Sequence, residues 1–541
     1  MAGWGAIALV ATSATSATSA ETLSVTYGSI QAQVPVEEVE LFAQTGQLTG
    51  ELAQYGGLFP AAQRERFRAI LQRTVPLDAT LVSQLVYSPT GEIILDRLGQ
   101  IIQEPNGNGA AALGAGLVQA AASPEGLNLV SLLRQFPAPA VQLNGEVAVA
   151  MAEAVGQRLQ ERDRWVSAVE AQAAQAAQTQ PLPPDATAQL TQPGKYTWQR
   201  LSFNWVDSSR PGESGSPLGR AVPTDLYLPQ PGNAQAAANQ PVPLVLLSHG
   251  VASNRQILAY LAEHLASHGI VVAVPEHVGS NGSKFQRYFE GVAEPPTPRE
   301  ALDRPQDLSF ILDQLTALQL ADARIPERLQ VDRAVAIGQS FGGYTALALG
   351  GAELNLATLR QACQGGKPED LLNLSLLLQC RLGELDNSIP ALKDERVAAV
   401  LAVNPFTSRV FNPAGLGAMQ VPLMVVAGGA DFVVPAVEEQ LAPFAGLTGA
   451  NRYLALLRNG THFSVLGEPA PEDKALPIAA SVVGPHGDVA REYLEALSLA
   501  FVLRHGLGDR SYDAYLTPAY GQALSRPEMP LSVVQSLNQP E

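Results

Sequence analysis

Residues 335–351 read VAIGQSFGGYTALALGG: an apolar run, a serine at position 340 with glycines at 338, 342 and 343 around it, then a helix-forming run. A serine on so sharp a strand-to-helix turn needs small neighbours, because its backbone is strained and the following helix packs close. The spacing G-x-S-x-G alone says little. Its setting between a buried strand and a helix makes Ser340 a candidate nucleophile.

Outward from this turn, residues 243–249 (PLVLLSH), 270–277 (IVVAVPEH), 396–405 (RVAAVLAVNP), 422–431 (PLMVVAGGAD) and 451–462 (NRYLALLRNGTH) are further apolar, β-rich runs. Helical patterns such as 257–269 (ILAYLAEHLASHG) and 307–318 (DLSFILDQLTAL) separate them. Strands apolar throughout and divided by helices predict a doubly wound, mostly parallel α/β sheet covered on both faces, over residues 196–510. Residues 353–395 interrupt it as a helical insertion and candidate lid. Residues 511–541 read as a C-terminal tail.

Ahead of it, residues 21–144 hold a strand-like LSVTY at Leu23–Tyr27 and then six helical patterns, several opened by proline. They predict a small, mostly α-helical domain of unknown function, a candidate lid or envelope-docking module. From Gly145 to Gln178 the positions Val147, Met151, Val155, Leu159, Val166 and Val169 recur at helical spacing, which predicts one long amphipathic helix. The proline-rich stretch to residue 195 then reads as a linker.

The 541 residues are 46% apolar and 16% charged with a net charge of −17, ample for a large core and repulsive to phosphate backbones. Nucleic acid is excluded as a partner, and no apolar run is long enough to span a bilayer. The run Trp4–Ala11, the small residues that follow and Glu21 resemble a signal segment cleaved after Ala20, although the first three residues carry no Lys or Arg. Export to the periplasm or beyond is expected; without that segment the cytoplasm is the alternative. The two cysteines, Cys363 and Cys380, favour a disulfide in an exported chain, with two buried thiols as the alternative.

A serine hydroxyl needs a base, and the base needs an orienting carboxylate. In the order serine, acid, histidine, only His462, His486 and His505 follow Ser340 as possible bases. His462 sits just past the strand pattern at 452–457, where a sheet-edge loop is expected. Asp431 directly follows a strand pattern, whereas Asp370, Asp386 and Asp394 fall in the insertion; the strand before Asp431 ends in Asn404. The catalytic expectation is therefore Ser340, Asp431 and His462, with the backbone N–H groups of Val251 and Phe341 as the oxyanion hole. Gly250 lets that loop pass close to substrate. His249 reads as a residue shaping the loop, Glu276 and His277 as hydrogen-bonded structural groups, and His264 and His268 as solvated or helix-terminal. No third ligand accompanies any of them, so neither a metal nor an organic cofactor is expected.

Residues 265–277 (LASHGIVVAVPEH), with LLSHG before and GQSFGG after, resemble the platelet-activating-factor acetylhydrolase group of α/β hydrolases, over Pro243 to Gly343. The resemblance implies the α/β-hydrolase fold and hydrolysis of a short-acyl ester, typically on a phospholipid, through an acyl-enzyme. Ser340, Val251 and Phe341 match the nucleophile and oxyanion positions; animal members place the acid after the strand that here ends at Asn404. Residues 421–437 and 459–466 instead look like bacterial cutinase, polyester-hydrolase and dienelactone-hydrolase relatives, in which the residues matching Asp431 and His462 are catalytic. Residues 21–144 are similar to an uncharacterised domain found ahead of bacterial hydrolases. A small-molecule or lipid ester is the expected substrate. A polyesterase, dienelactone hydrolase or peptidase on the same three residues is the enzymatic alternative, and a binding protein with a vestigial hydrolase domain the non-enzymatic one.

Overall fold

The computed structural model describes residues 19–75, 77–105, 107–184, 189–212, 216–230, 240–468 and 483–540. The expected signal segment lies outside them except for Ser19 and Ala20. Two compact units are present, Met1–Ala152 and Glu153–Glu541.

The first unit carries helices where the sequence predicts them, among them Val36–Thr45, Ala61–Gln72 and Ala110–Ala122. Side-chain caps by Asp78, Ser88 and Asn128 start three of its helices. It also holds a five-stranded sheet of which only the first strand was foreseen. In the order β2-β1-β5-β3-β4, its strands are β1 (Thr22–Tyr27), β2 (Ile30–Pro35), β3 (Ile102–Glu104), β4 (Gly107–Asn108) and β5 (Ala140–Asn144). The four missed strands are two to six residues long and largely half-exposed, so no alternation of period two had room to develop.

The helix Gly145–Thr179 is a single unbroken element, and the division between the units falls within it. From Glu153 it belongs to the second unit, where Trp165, Val166, Val169 and Ala173 enter the main core.

The second unit is a nine-stranded sheet in the order β14-β13-β12-β11-β10-β8-β9-β7-β6. Its strands are β6 (Thr197–Asp207), β7 (Arg220–Gln230), β8 (Leu244–Ser248), β9 (Val271–Pro275), β10 (Ala334–Gln339), β11 (Val397–Val403), β12 (Leu423–Gly428), β13 (Arg452–Leu457) and β14 (Leu531–Val534). Strands β8 to β13 run parallel to their neighbours in this group, while β6, β7 and β14 are antiparallel additions at the edges. Alternate residues of one strand enter opposite cores: Val400 and Ala402 of β11 lie in one, Leu401 and Val403 in the other. That two-faced burial explains why these strands read as continuous apolar runs.

Residues 511–540 are not a tail. They form a 3-10 turn at Arg510–Leu516 and a helix at Pro518–Leu524, and β14 then pairs antiparallel with β13. The apolar LSVV segment thereby covers what would otherwise be an open sheet edge. The insertion contains the short helices Leu356–Ala362 and Ser375–Arg381, joined by a Cys363–Cys380 disulfide with Cα atoms 5.6 Å apart. It is also pinned by the fully buried Glu439, whose carboxylate accepts from Asn373, Ser375 and Gln379 of the insertion and from the N–H groups of Thr407 and Ser408. Among the described residues no helix is long and apolar enough to cross a membrane.

Candidate active site

The carboxyl ends of β8, β10, β11, β12 and β13 open on one side of the sheet, where doubly wound sheets bind ligands. At the end of β10, Ser340 adopts φ 58° and ψ −118°, a strained conformation for a residue with a side chain. The surroundings impose it: the Ser340 N–H donates to the Val403 carbonyl at 2.8 Å, and the Ser340 carbonyl accepts from Tyr344 at 3.0 Å. The glycines are steric necessities. A methyl group on Gly338 would stand 2.0 Å from the Gly342 carbonyl oxygen, and one on Gly342 2.0 Å from that of Ser248.

Two loops bring the base and acid to this turn. His462 Nε2 lies 2.9 Å from Ser340 Oγ, and His462 Nδ1 lies 2.7 Å from Asp431 Oδ2. The other carboxylate oxygen, Oδ1, accepts from the N–H groups of Val433 and Val434, both at 2.8 Å, which fixes the rotation of the carboxylate. A carboxylate can only accept, so Nδ1 carries the proton and Nε2 accepts from the serine hydroxyl. Ser340, Asp431 and His462 are 7%, 7% and 3% exposed, so these bonds act with little competing water. His486 is exposed at the start of the helix Gly487–Phe501, and His505 is buried against Tyr453, away from the serine.

Two residues that the sequence did not single out as participants hold the histidine loop. Gln339 Nε2 donates to the His462 carbonyl at 3.0 Å, and Asn404 Nδ2 approaches the carbonyls of Thr461 and His462 at 3.3 and 3.4 Å. Asn404 Oδ1 accepts from the Gly428 N–H at 2.9 Å, tying the end of β11 to the acid loop. Asn404 thus occupies the β11 position as a brace, with Asp431 after β12 facing the histidine.

On the other side of the serine, the loop after β8 passes close: a methyl group on Gly250 would lie 3.4 Å from Ser340 Cβ. Phe341 is the first residue of the helix Phe341–Leu349, where backbone N–H groups lack intrahelical acceptors. Neither the Phe341 nor the Val251 N–H donates to another group among the described residues. The sequence-assigned donors are therefore free for an oxygen bound beside Ser340.

A second Ser-His-Asp array lies beneath this loop. Ser248 Oγ is 2.9 Å from His277 Nε2, and His277 Nδ1 is 2.9 Å from Asp307 Oδ2. All three side chains are fully buried, and Asp307 is also bound by Arg210 and Arg220. Burial would raise the Asp307 carboxyl, but Arg220 and His277 hold it well below the usual range. Burial and the charge of Arg304 lower His277 to about 4, so it is neutral, as is His249, lowered by burial, Arg304 and His277. This array braces the loop and has no access to substrate. Glu276 is likewise structural, accepting from the Arg255 N–H and from Asn281. Of the remaining pair, His268 ends its helix as foreseen, but His264 is buried and not solvated, its face of the helix packing on the sheet.

Sequence comparison finds partial matches. Residues 19–144, within the first unit, match the model described as alpha/beta hydrolase of unknown function, and residues 214–299 match that of platelet-activating factor acetylhydrolase, isoform II. The platelet-activating factor acetylhydrolase of Bos taurus is 28% identical over 156 residues, covering 23% of this chain and 35% of that protein. The chain thus matches about a third of the length of that relative. By sheet order the second unit has the α/β-hydrolase fold, and over the matched segments the chain is similar to the platelet-activating factor acetylhydrolases.

Proposed function

We propose that this protein is a serine carboxylic-ester hydrolase acting through Ser340, His462 and Asp431, with short-acyl lipid esters as its substrates. The observation that carries the reading is the 2.9 and 2.7 Å relay from Ser340 Oγ through His462 to Asp431, beside two uncommitted N–H groups. As Ser340 Oγ attacks the ester carbonyl carbon, His462 Nε2 takes its proton and Asp431 stabilises the resulting imidazolium. The carbonyl oxygen becomes an oxyanion that accepts from the Val251 and Phe341 N–H groups. Collapse breaks the carbon–oxygen bond to the alcohol, which leaves with the proton from His462. Water, deprotonated by His462, then releases the acid from the acyl-serine.

The lipid ester preference rests on the matched segment and on the bovine relative, whose name states platelet-activating factor as its substrate. An apolar rim supports it: Phe432, 53% exposed, and Leu374, 37% exposed, flank residues joined by the Ser375 N–H to Val433 carbonyl bond beside Asp431. The Cys363–Cys380 disulfide supports export to an oxidising compartment. Turnover of p-nitrophenyl esters of graded chain length, compared with Ser340→Ala, tests the proposal. Turnover falling as the acyl chain lengthens, and lost in the variant, is expected; equal activity in the variant would remove Ser340 from the mechanism.

A further inference from the structure

Arg304, in the first turns of the helix Glu300–Ala321, is fully buried and belongs to none of the groups in the reaction just described. Its guanidinium is directed at the oxyanion loop. Nη1 donates to the His249 carbonyl at 2.6 Å, Nη2 to the Gly250 carbonyl at 3.3 Å, and Nε to Ser280 Oγ at 2.9 Å. Its Cζ sits 4.3 Å from the centre of the Phe341 ring. One cation therefore touches the loop that carries Val251, through the Gly250 carbonyl, and the Phe341 ring on the other side of the serine.

The Gly250 carbonyl has a second donor. His249 Nε2 accepts from the His277 N–H at 3.1 Å, so the ring proton is on Nδ1, which donates to the Gly250 oxygen at 2.7 Å. In a planar trans peptide the C=O and N–H point in opposite directions. Fixing the Gly250 oxygen towards Arg304 and His249 turns the Val251 N–H the other way, and polarising that carbonyl strengthens the N–H as a donor.

We infer that Arg304 is a positioning residue for the oxyanion hole, aiming and polarising the Gly250–Val251 peptide while its stacking on Phe341 holds the second donor. The inference rests on the reading of Ser340 as an ester-cleaving nucleophile. Burial lowers the guanidinium to about 10, against the pull of Glu300 and Asp307, so it stays charged at neutral pH. A residue that aims a donor acts on the transition state and not on the bound ester.

The test uses the full chain with Arg304→Lys, which keeps the charge among Glu300 and Asp307 but loses the fork and the stacking face. Turnover of p-nitrophenyl acetate should fall on the order of 10- to 100-fold in kcat with KM within about twofold, as for a misplaced catalytic contact. The inhibition constant of a trifluoromethyl ketone, which forms a tetrahedral adduct on serine, should weaken by the same factor. A folded variant with unchanged kcat, or with reduced kcat but undiminished affinity for the ketone, overturns the inference. If Arg304→Lys does not fold, Ser280→Ala frees Nε and should show the same paired loss at about threefold; wild-type values in that variant overturn the inference equally. Wild-type protein with no turnover and no fluorophosphonate adduct would instead remove the esterase reading, which separates the two failures.

Discussion

Replacing Asp431 with asparagine should abolish most of the activity while leaving the fold intact, and the structure sets the size of the loss. The amide oxygen will keep the place of Oδ1, because the Val433 and Val434 N–H groups at 2.8 Å demand an acceptor there. The NH2 group must then face His462 Nδ1, 2.7 Å away in the wild type. Two donors cannot share that contact, so the imidazole switches to the tautomer with its proton on Nε2, facing Ser340. Loss of a charge-assisted bond alone would cost about 1.5–3 kcal/mol, roughly 10- to 150-fold. The wrong tautomer costs about 10⁴-fold, as in the serine protease case. Steady-state hydrolysis of p-nitrophenyl acetate distinguishes the two, with thermal melting as a check on folding. A kcat loss below about 100-fold in folded protein would refute the tautomer argument. Adding Asn404→Asp should not rescue activity, because that side chain faces the Thr461 and His462 carbonyls; rescue would show that position 404 can serve as the acid.

Other perturbations have equally definite outcomes. Gly342→Ala places a methyl group 2.0 Å from the Ser248 carbonyl oxygen, so it should yield insoluble protein or, if soluble, protein with kcat at least about 100-fold down; normal activity would contradict the turn geometry. The double variant Cys363→Ser/Cys380→Ser opens a loop of sequence separation 17 and should lower unfolding free energy by about 3 kcal/mol in urea titrations. Because Glu439 still pins the insertion, kcat should stay within about threefold; collapse of activity would make the disulfide part of the site. His277, folded at about 4 against an ordinary 6.5, is protonated only in the unfolded chain between those values. Its contribution is therefore complete above pH 6.5 and lost as pH falls towards 4, by roughly 3 kcal/mol. Urea midpoints across that window should fall with acidification, less steeply in His277→Asn, and identical slopes would exclude His277 as a contributor.

The parts of the site that were legible in the sequence share one property. Ser340 directly follows an apolar strand and Asp431 and His462 lie in the loops that follow two others, so the parallel sheet delivers them to one edge and chain order assigns their roles. What escaped was set by contacts between distant segments. Arg304 meets His249, Gly250 and Phe341 across 55, 54 and 37 residues, and no local pattern distinguishes it from a helix-surface arginine. Strand β6 escaped because its alternate residues are exposed and its apolar content is diluted. Strand β14 is four residues long, and only its partner β13 gives it meaning. Asn404 was noticed as the absence of an acid, whereas its role as a brace needed the positions of the His462 and Gly428 loops.

The central claim is that Ser340 is a nucleophile activated by His462. Intact-mass and peptide mass spectrometry after exposure to a fluorophosphonate measures it most directly. The account predicts one adduct, located on Ser340, formed in the wild type, absent in Ser340→Ala and strongly slowed in His462→Ala. No adduct on the folded wild type, or an adduct on another serine that persists in Ser340→Ala, would contradict it.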